Sequence, residues 1–189
     1  MKPLAPNFIV GIGGSAGGLN AYKALLGALP SNTGMAFVIV SHILPTANSQ
    51  LAQILSRRTK MQVKVATTAL PILPNHVYVN PPNADITIEN YILKIVSPRT
   101  RGNVQVDIFL TSLAEAMGAQ AICIILSGYF ADGTEGCLHI KAKGGTSFVQ
   151  DTSAEVDGMP RSAQSYGCAD FILPPGKIAD ELQRLAREI

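Results

Sequence analysis

Short, almost wholly apolar runs recur along this chain, each followed by a stretch of helical periodicity, and that alternation restricts the fold more than any other feature. Residues 8–13, 36–41 and 121–126 carry no charged side chain, as strands buried on both faces require. Helical patterns follow at 19–28, 49–58, about 106–117 and 134–143, the last closed by Gly144-Gly145. Strands are also expected at 62–66, 146–150 and 170–173, with further helices near 160–166 and over 175–188. The middle differs: 76–80, 85–89 and 91–96 read as short strands separated by Pro81-Pro82-Asn83 and by Asn90, which suggests an antiparallel hairpin or edge appendage. The expectation is an α/β fold with a doubly wound, mainly parallel sheet and a short antiparallel hairpin excursion.

With 189 residues, 47% of them hydrophobic and 15% charged, the chain can build one sizeable core, so 1–189 reads as a single domain. Fifteen basic against thirteen acidic residues leave a net charge of +2, too near balance for a nucleic-acid footprint. No apolar stretch approaches the ~20 residues of a membrane helix. Cys123, Cys137 and Cys168 form no C-x-x-C pair, so buried free thiols in a reducing compartment are expected. Together with the lack of a signal peptide, this points to a cytoplasmic protein with no membrane insertion.

In doubly wound folds ligands gather beyond the carboxyl ends of the strands. Three segments fall there: 13–18, Ser41-His42 and 127–133. They offer Ser15 as a nucleophile, His42 as the base that takes its proton, and Asp132 as the carboxylate that fixes the imidazole. In the glycine-rich turn, Gly13 and Gly14 would permit a sharp bend, while Gly17 and Gly18 would allow close packing at the helix start. Structural readings stay open: Ser15 as a helix cap, His42 as a polar strand end, Asp132 as a turn or N-cap residue. His76 and His139 are rival bases.

A dinucleotide fingerprint is half present in Gly11, Gly13 and Ala16, but the acidic residue expected ~20 positions on is replaced by Val40-Ser41-His42. Phosphate capture at the helix start is a further alternative. No Walker lysine and no metal-ligand cluster accompanies the turn, so neither a cofactor nor a metal is expected.

Taken with Ile12 to Gly18, His42 and the loop Leu126 to Gly133, the segments Ala142 to Gly145, Val149 to Asp151 and Asp157 to Ala163 carry a family pattern. The chain resembles the catalytic domain of chemotaxis-type protein-glutamate methylesterases from about Phe8 to Pro175. The resemblance implies a cytoplasmic serine hydrolase of phosphorelay signal transduction that removes methyl groups from glutamate methyl esters on chemoreceptors, and in some members deamidates glutamine. It places the catalytic residues on Ser15, His42 and Asp132, with oxyanion donors in the backbone of Ala16 and Tyr129. The implied partner is the cytoplasmic region of methyl-accepting chemoreceptors. Arg57, Arg58, Arg99, Arg101 and Arg161 are candidates to meet it, Arg161 foremost because it follows the motif proline, or are ordinary solvated arginines.

Two departures stand out. Phe130 occupies a place where the family carries a small residue; if the backbone there has positive φ, phenylalanine brings strain of about 1–3 kcal/mol or a different loop. Only seven residues precede Phe8, where phosphorylation-controlled members carry a receiver domain. The segment 97–107 resembles the version that begins larger proteins fused to a receptor methyltransferase and sensory modules, which suits an excised domain of such a protein; a complete stand-alone protein is the open alternative. Competing readings are a catalytically weak docking or regulatory domain and a hydrolase of small esters or amides.

Overall fold

The computed structural model describes residues 4–44 and 49–189, so the first three of the residues ahead of Phe8 lie outside it. In chain order the elements are β1 (Ile9–Gly14), α1 (Gly18–Ala28), β2 (Ala36–Ser41), α2 (Leu51–Ser56), β3 (Gln62–Val65), β4 (Leu70–Pro71), β5 (His76–Val79), β6 (Asp85–Glu89) and β7 (Ile92–Val96). There follow α3 (Gln105–Met117), a 3-10 turn at Gly118–Gln120, β8 (Ala121–Ile125), α4 (Thr134–Ala142), β9 (Thr146–Gln150), α5 (Gly158–Ser165), β10 (Phe171–Leu173) and α6 (Pro175–Arg187).

Seven strands form a parallel sheet in the order β10-β9-β8-β1-β2-β5-β3. The chain builds outward from β1 on one side and then returns to β8 on the other, so the order reverses between β1 and β8. Loops at such a reversal splay apart and leave a crevice at the strand ends. Each face of the sheet is covered. Val106, Phe109, Leu110, Leu113 and Met117, spaced three and four apart on α3, pack with Ile9, Val38 and Cys123 on one face. Tyr22, Leu25, Leu26, Ile178 and Leu182 pack with Val10, Ile12, Phe37 and Phe148 on the other. Each such apolar side chain contributes about 1.5–3 kcal/mol relative to exposure, which makes burial on both faces the reason these strands tolerate no charge.

The expected excursion is present but its membership differs. His76–Val79 does not belong to it: β5 inserts into the main sheet between β2 and β3, because Val77, Tyr78 and Val79 are buried on both sides. A two-residue strand, β4, which is too short to carry a pattern, joins β6 and β7 in a three-stranded antiparallel sheet of order β4-β7-β6. Its inner residues Ile86, Ile88 and Leu93 share the core beneath α3.

The glycine roles also differ from expectation. Gly13 and Gly14 lie in regular strand, where a Cβ would stand 2.4 Å from Val106 Cγ1 and 2.3 Å from the Tyr22 hydroxyl, respectively. They are close-approach positions for α3 and α1. The turn itself is made at Gly17, the N-cap of α1, with φ 72°. All three cysteines are free and buried, and hydrogen bonding to a neighbouring thiol, together with burial, pushes the Cys137 and Cys168 thiols up. Among the described residues, no helix is long and apolar enough to cross a membrane.

Candidate active site

Ser15 and His42 are placed by register. Gly14 of β1 pairs with Ser41 of β2, so the next residue of each strand, Ser15 and His42, emerges at the same edge from neighbours ~4.8 Å apart. The His42 amide donates to Gly14 O at 3.3 Å and the Ser15 amide to Ser127 O at 2.8 Å. The turn that carries Ser15 is thereby stitched to the ends of both flanking strands.

Asp132 reaches the pair from the loop after β8. Its Oδ2 lies 2.7 Å from His42 Nε2, with the His42 side chain 10% exposed and the Asp132 side chain fully buried. A carboxylate facing the ring assigns the proton to Nε2, leaving Nδ1 to accept from a nucleophile. Oδ2 also accepts from the Val106 amide at 3.0 Å and Oδ1 from the Asp107 amide at 2.8 Å. These are donors in the first turn of α3, where the helix dipole favours negative charge. The buried carboxylate therefore has three donors. Among the described residues no hydrogen bond engages the Ser15 hydroxyl, the looser arrangement usual before substrate binds.

The two loops that hold Ala16 and Tyr129, after β1 and after β8, are clamped together around Ser127. The Ser127 hydroxyl, wholly buried, lies 2.7 Å from Ala16 O and 3.2 Å from Val156 O, and accepts from the Val156 amide at 2.9 Å. The Gly128 amide donates to Val156 O at 2.9 Å and Gly128 O accepts from the Met159 amide at 2.8 Å. A Cβ on Gly128 would stand 3.0 Å from Ser15 Cβ, so the peptide leading to Tyr129 passes directly beside Ser15. Among the described residues, neither the Ala16 nor the Tyr129 amide donates to another protein atom.

Phe130 has φ 66° and is 73% exposed. Phenylalanine thus occupies the left-handed region, the condition on which the sequence reading made strain depend, turned outward with Tyr129 beside it at 6.2 Å between ring centroids, and the His42–Asp132 contact is kept. Arg161 sits on α5 in an exposed ion pair with Asp157 at 2.7 Å. The groove it shares with Tyr129 also holds Asp151 and Glu155. Arg57 and Arg58 close α2 and line a groove with Gly27, Leu29 and Pro30, at the opposite edge of the sheet from Ser15. His76 opens β5 at that far edge, bonded to Pro74 O at 2.8 Å and stacked on Tyr78. His139 lies within α4. The structure joins neither rival to Ser15 or Asp132.

Asp107 was missed from the sequence. Its Oδ1 accepts from the Gly133 and Gly136 amides at 2.9 and 2.8 Å. Burial, with the Asp132 charge adding to it against those two amides, pushes its carboxyl up to about 6. The signal that could have flagged it is an acidic residue in the first turn of a helix that starts at the strand-end face. Among the described residues, no group of three or more His, Cys, Asp or Glu side chains could hold a metal ion.

Residues 10–182 match the family described as CheB methylesterase. The chain is 32% identical over 187 residues to the protein-glutamate methylesterase/protein-glutamine glutaminase of Hydrogenovibrio crunogenus, covering 95% of this chain and 50% of that protein. It is 33% identical over 186 residues to protein-glutamate methylesterase/protein-glutamine glutaminase 1 of Geobacter sulfurreducens, covering 93% and 51%. It thus spans about half the length of both relatives. A protein of Leptospira interrogans shares 36% over 178 residues, with 92% of each chain covered. The crystal structure of the Thermotoga maritima CheB methylesterase catalytic domain superposes with a TM-score of 0.87 at 31% identity, covering 95% of this chain and 98% of that one. By family match, sequence and fold alike, the chain belongs to the CheB methylesterase family.

Proposed function

We propose that this chain is a serine hydrolase that cleaves glutamate methyl esters, and deamidates glutamine, on the cytoplasmic region of methyl-accepting chemoreceptors. The observation that carries the reading is the 2.7 Å contact of a buried Asp132 with His42, one register step from Ser15. Ser15 Oγ attacks the side-chain ester carbonyl while His42 Nδ1 takes its proton and Asp132 stabilises the imidazolium. The amides of Ala16 and Tyr129 receive the oxyanion, each such donor contributing about 3 kcal/mol in serine hydrolases. Collapse of the tetrahedral intermediate breaks the bond to methoxide, which takes the proton from His42 and leaves as methanol. Water, deprotonated by the same ring, then releases the glutamate carboxylate and free Ser15.

The substrate is presented on a protein surface, and Arg161 with Tyr129 at the rim contacts it. Fusion to, or association with, a receptor methyltransferase and sensory modules in the cytoplasm is part of this reading and rests on the resemblance of the segment 97–107. The test is methanol release from a methylated chemoreceptor cytoplasmic fragment. Turnover that is lost in both Ser15→Ala and His42→Ala supports the assignment; a wild-type protein that binds the fragment without releasing methanol overturns it in favour of a docking domain.

A further inference from the structure

Two carboxylates meet where the starts of α3 and α4 converge. Asp132, one residue ahead of the Gly133 cap of α4, accepts from the amides of Val106 and Asp107 in α3. Asp107 accepts from the amides of Gly133 and Gly136 in return. Each helix start therefore gives its free amides to a carboxylate carried by the other helix. The Gly133 amide belongs to the peptide that follows Asp132, so the Asp107 bond holds the very unit that carries the acid of the triad.

We propose that Asp107 is a positioning residue for the His42–Asp132 pair: its carboxylate pins the start of α4 so that Asp132 stays on Nε2, and it adds a second negative charge behind the imidazole. The assignment rests on reading Ser15, His42 and Asp132 as the reacting centre. Asp107 bonds to neither His42 nor Ser15, so it acts through Asp132. The ionisable groups around it are Asp132 before α4, Glu135 on α4, Arg101 ahead of α3 and Glu115 farther along α3, the last three lining the groove that Asp107 borders. Removal of the Asp107 charge leaves the imidazolium with one carboxylate in place of two, which disfavours the protonated ring.

The experiment follows the His42 imidazole by NMR across pH in the wild type, Asp107→Asn and Asp107→Ala, beside kcat and KM at pH 8. In Asp107→Asn the His42 titration moves to lower pH, since one of the negative charges that favour the protonated ring is gone. Asp107→Ala, which also leaves the Gly133 and Gly136 amides without their acceptor, loses about tenfold or more in kcat with KM within about twofold. An unmoved His42 titration in a cooperatively folded Asp107→Asn overturns the proposal, as does a kcat for Asp107→Ala within about threefold of wild type. Should Asp107→Ala not fold, Asp107→Asn keeps the acceptor oxygen and decides alone. The titration needs no substrate, so a protein inactive on receptor fragments could still show the shift, and an active one could lack it.

Discussion

Placing one methyl group on β1 should disable the site from beneath. In Gly13→Ala the new Cβ would lie 2.4 Å from Val106 Cγ1, with Cγ2 and Cβ of the same residue at 3.1 and 3.3 Å. Carbon atoms settle at about 3.5–4.0 Å, so the start of α3 must retreat by about 1 Å. Overpacking of this kind costs about 1–3 kcal/mol, and at about 2–4 °C per kcal/mol for a domain of this size Tm falls by about 2–12 °C. The chemical consequence is larger. The Val106 amide donates to Asp132 Oδ2 at 3.0 Å and the next amide to Oδ1 at 2.8 Å, so a retreat of α3 lengthens both bonds and kcat falls by about tenfold or more. Val106→Ala removes the two clashing methyls at its own cavity cost. The double variant is then less destabilised than the sum of the singles, by about 1 kcal/mol or more. Urea midpoints, with constant slope, together with kcat for the four proteins, measure this cycle. As a control, Gly17→Ala suffers from its φ of 72° and a Cβ 2.5 Å from Ser127 Oγ, and Val106→Ala does not rescue it. Strict additivity between Gly13→Ala and Val106→Ala, or a Gly13→Ala cost below about 0.5 kcal/mol, would refute the close-approach argument.

Ser127→Ala deprives the part-buried Val156 amide of its acceptor and releases Ala16 O, so stability falls by about 1–3 kcal/mol in urea unfolding and ester turnover falls with it. Phe130→Gly relieves a left-handed phenylalanine, φ 66°, worth about 1–2 kcal/mol, against about 0.5–1 kcal/mol of added unfolded-state entropy; a Tm equal to or above wild type is expected, and a clear drop would mean that the exposed ring is held by contacts the structure lacks. Because the Asp107 carboxyl is raised from 3.8 to about 6, the stability linked to its proton is present below the unfolded value and lost as pH rises through about 6. Between pH 4 and 7 the urea midpoint of wild type should therefore fall relative to that of Asp107→Asn; parallel curves would contradict the shift.

Much of the fold was legible because burial on both faces forbids charge in the central strands, and that pattern is local to each run. The placement of Ser15, His42 and Asp132 followed from it, since every strand of a parallel sheet delivers its next residue to the same edge. What was not legible depends on partners distant in sequence. β5 reads as a hairpin strand until Val38 pairs with Tyr78, and β4 has meaning only against Leu93 and Ile92. Gly13 and Gly14 looked like turn residues because the helix and the tyrosine that crowd them cannot be inferred from neighbouring positions. The first-turn place of Asp107 is a readable signal, but its partners, the Gly133 and Gly136 amides, emerge only when α3 and α4 are seen to start at one point. By contrast, the consequence of Phe130 was conditional on a single backbone angle, and that angle takes the left-handed value.

The most direct measurement of the central claim, that Ser15 is a nucleophile activated by His42 and Asp132, is covalent labelling with a fluorophosphonate followed by intact-mass and peptide mass spectrometry. The account predicts one adduct per chain, located on the peptide bearing Ser15, absent in Ser15→Ala, and formed at least about a hundredfold more slowly in His42→Ala. An adduct that persists in Ser15→Ala, or labelling of Ser15 at an unchanged rate without His42, would contradict it.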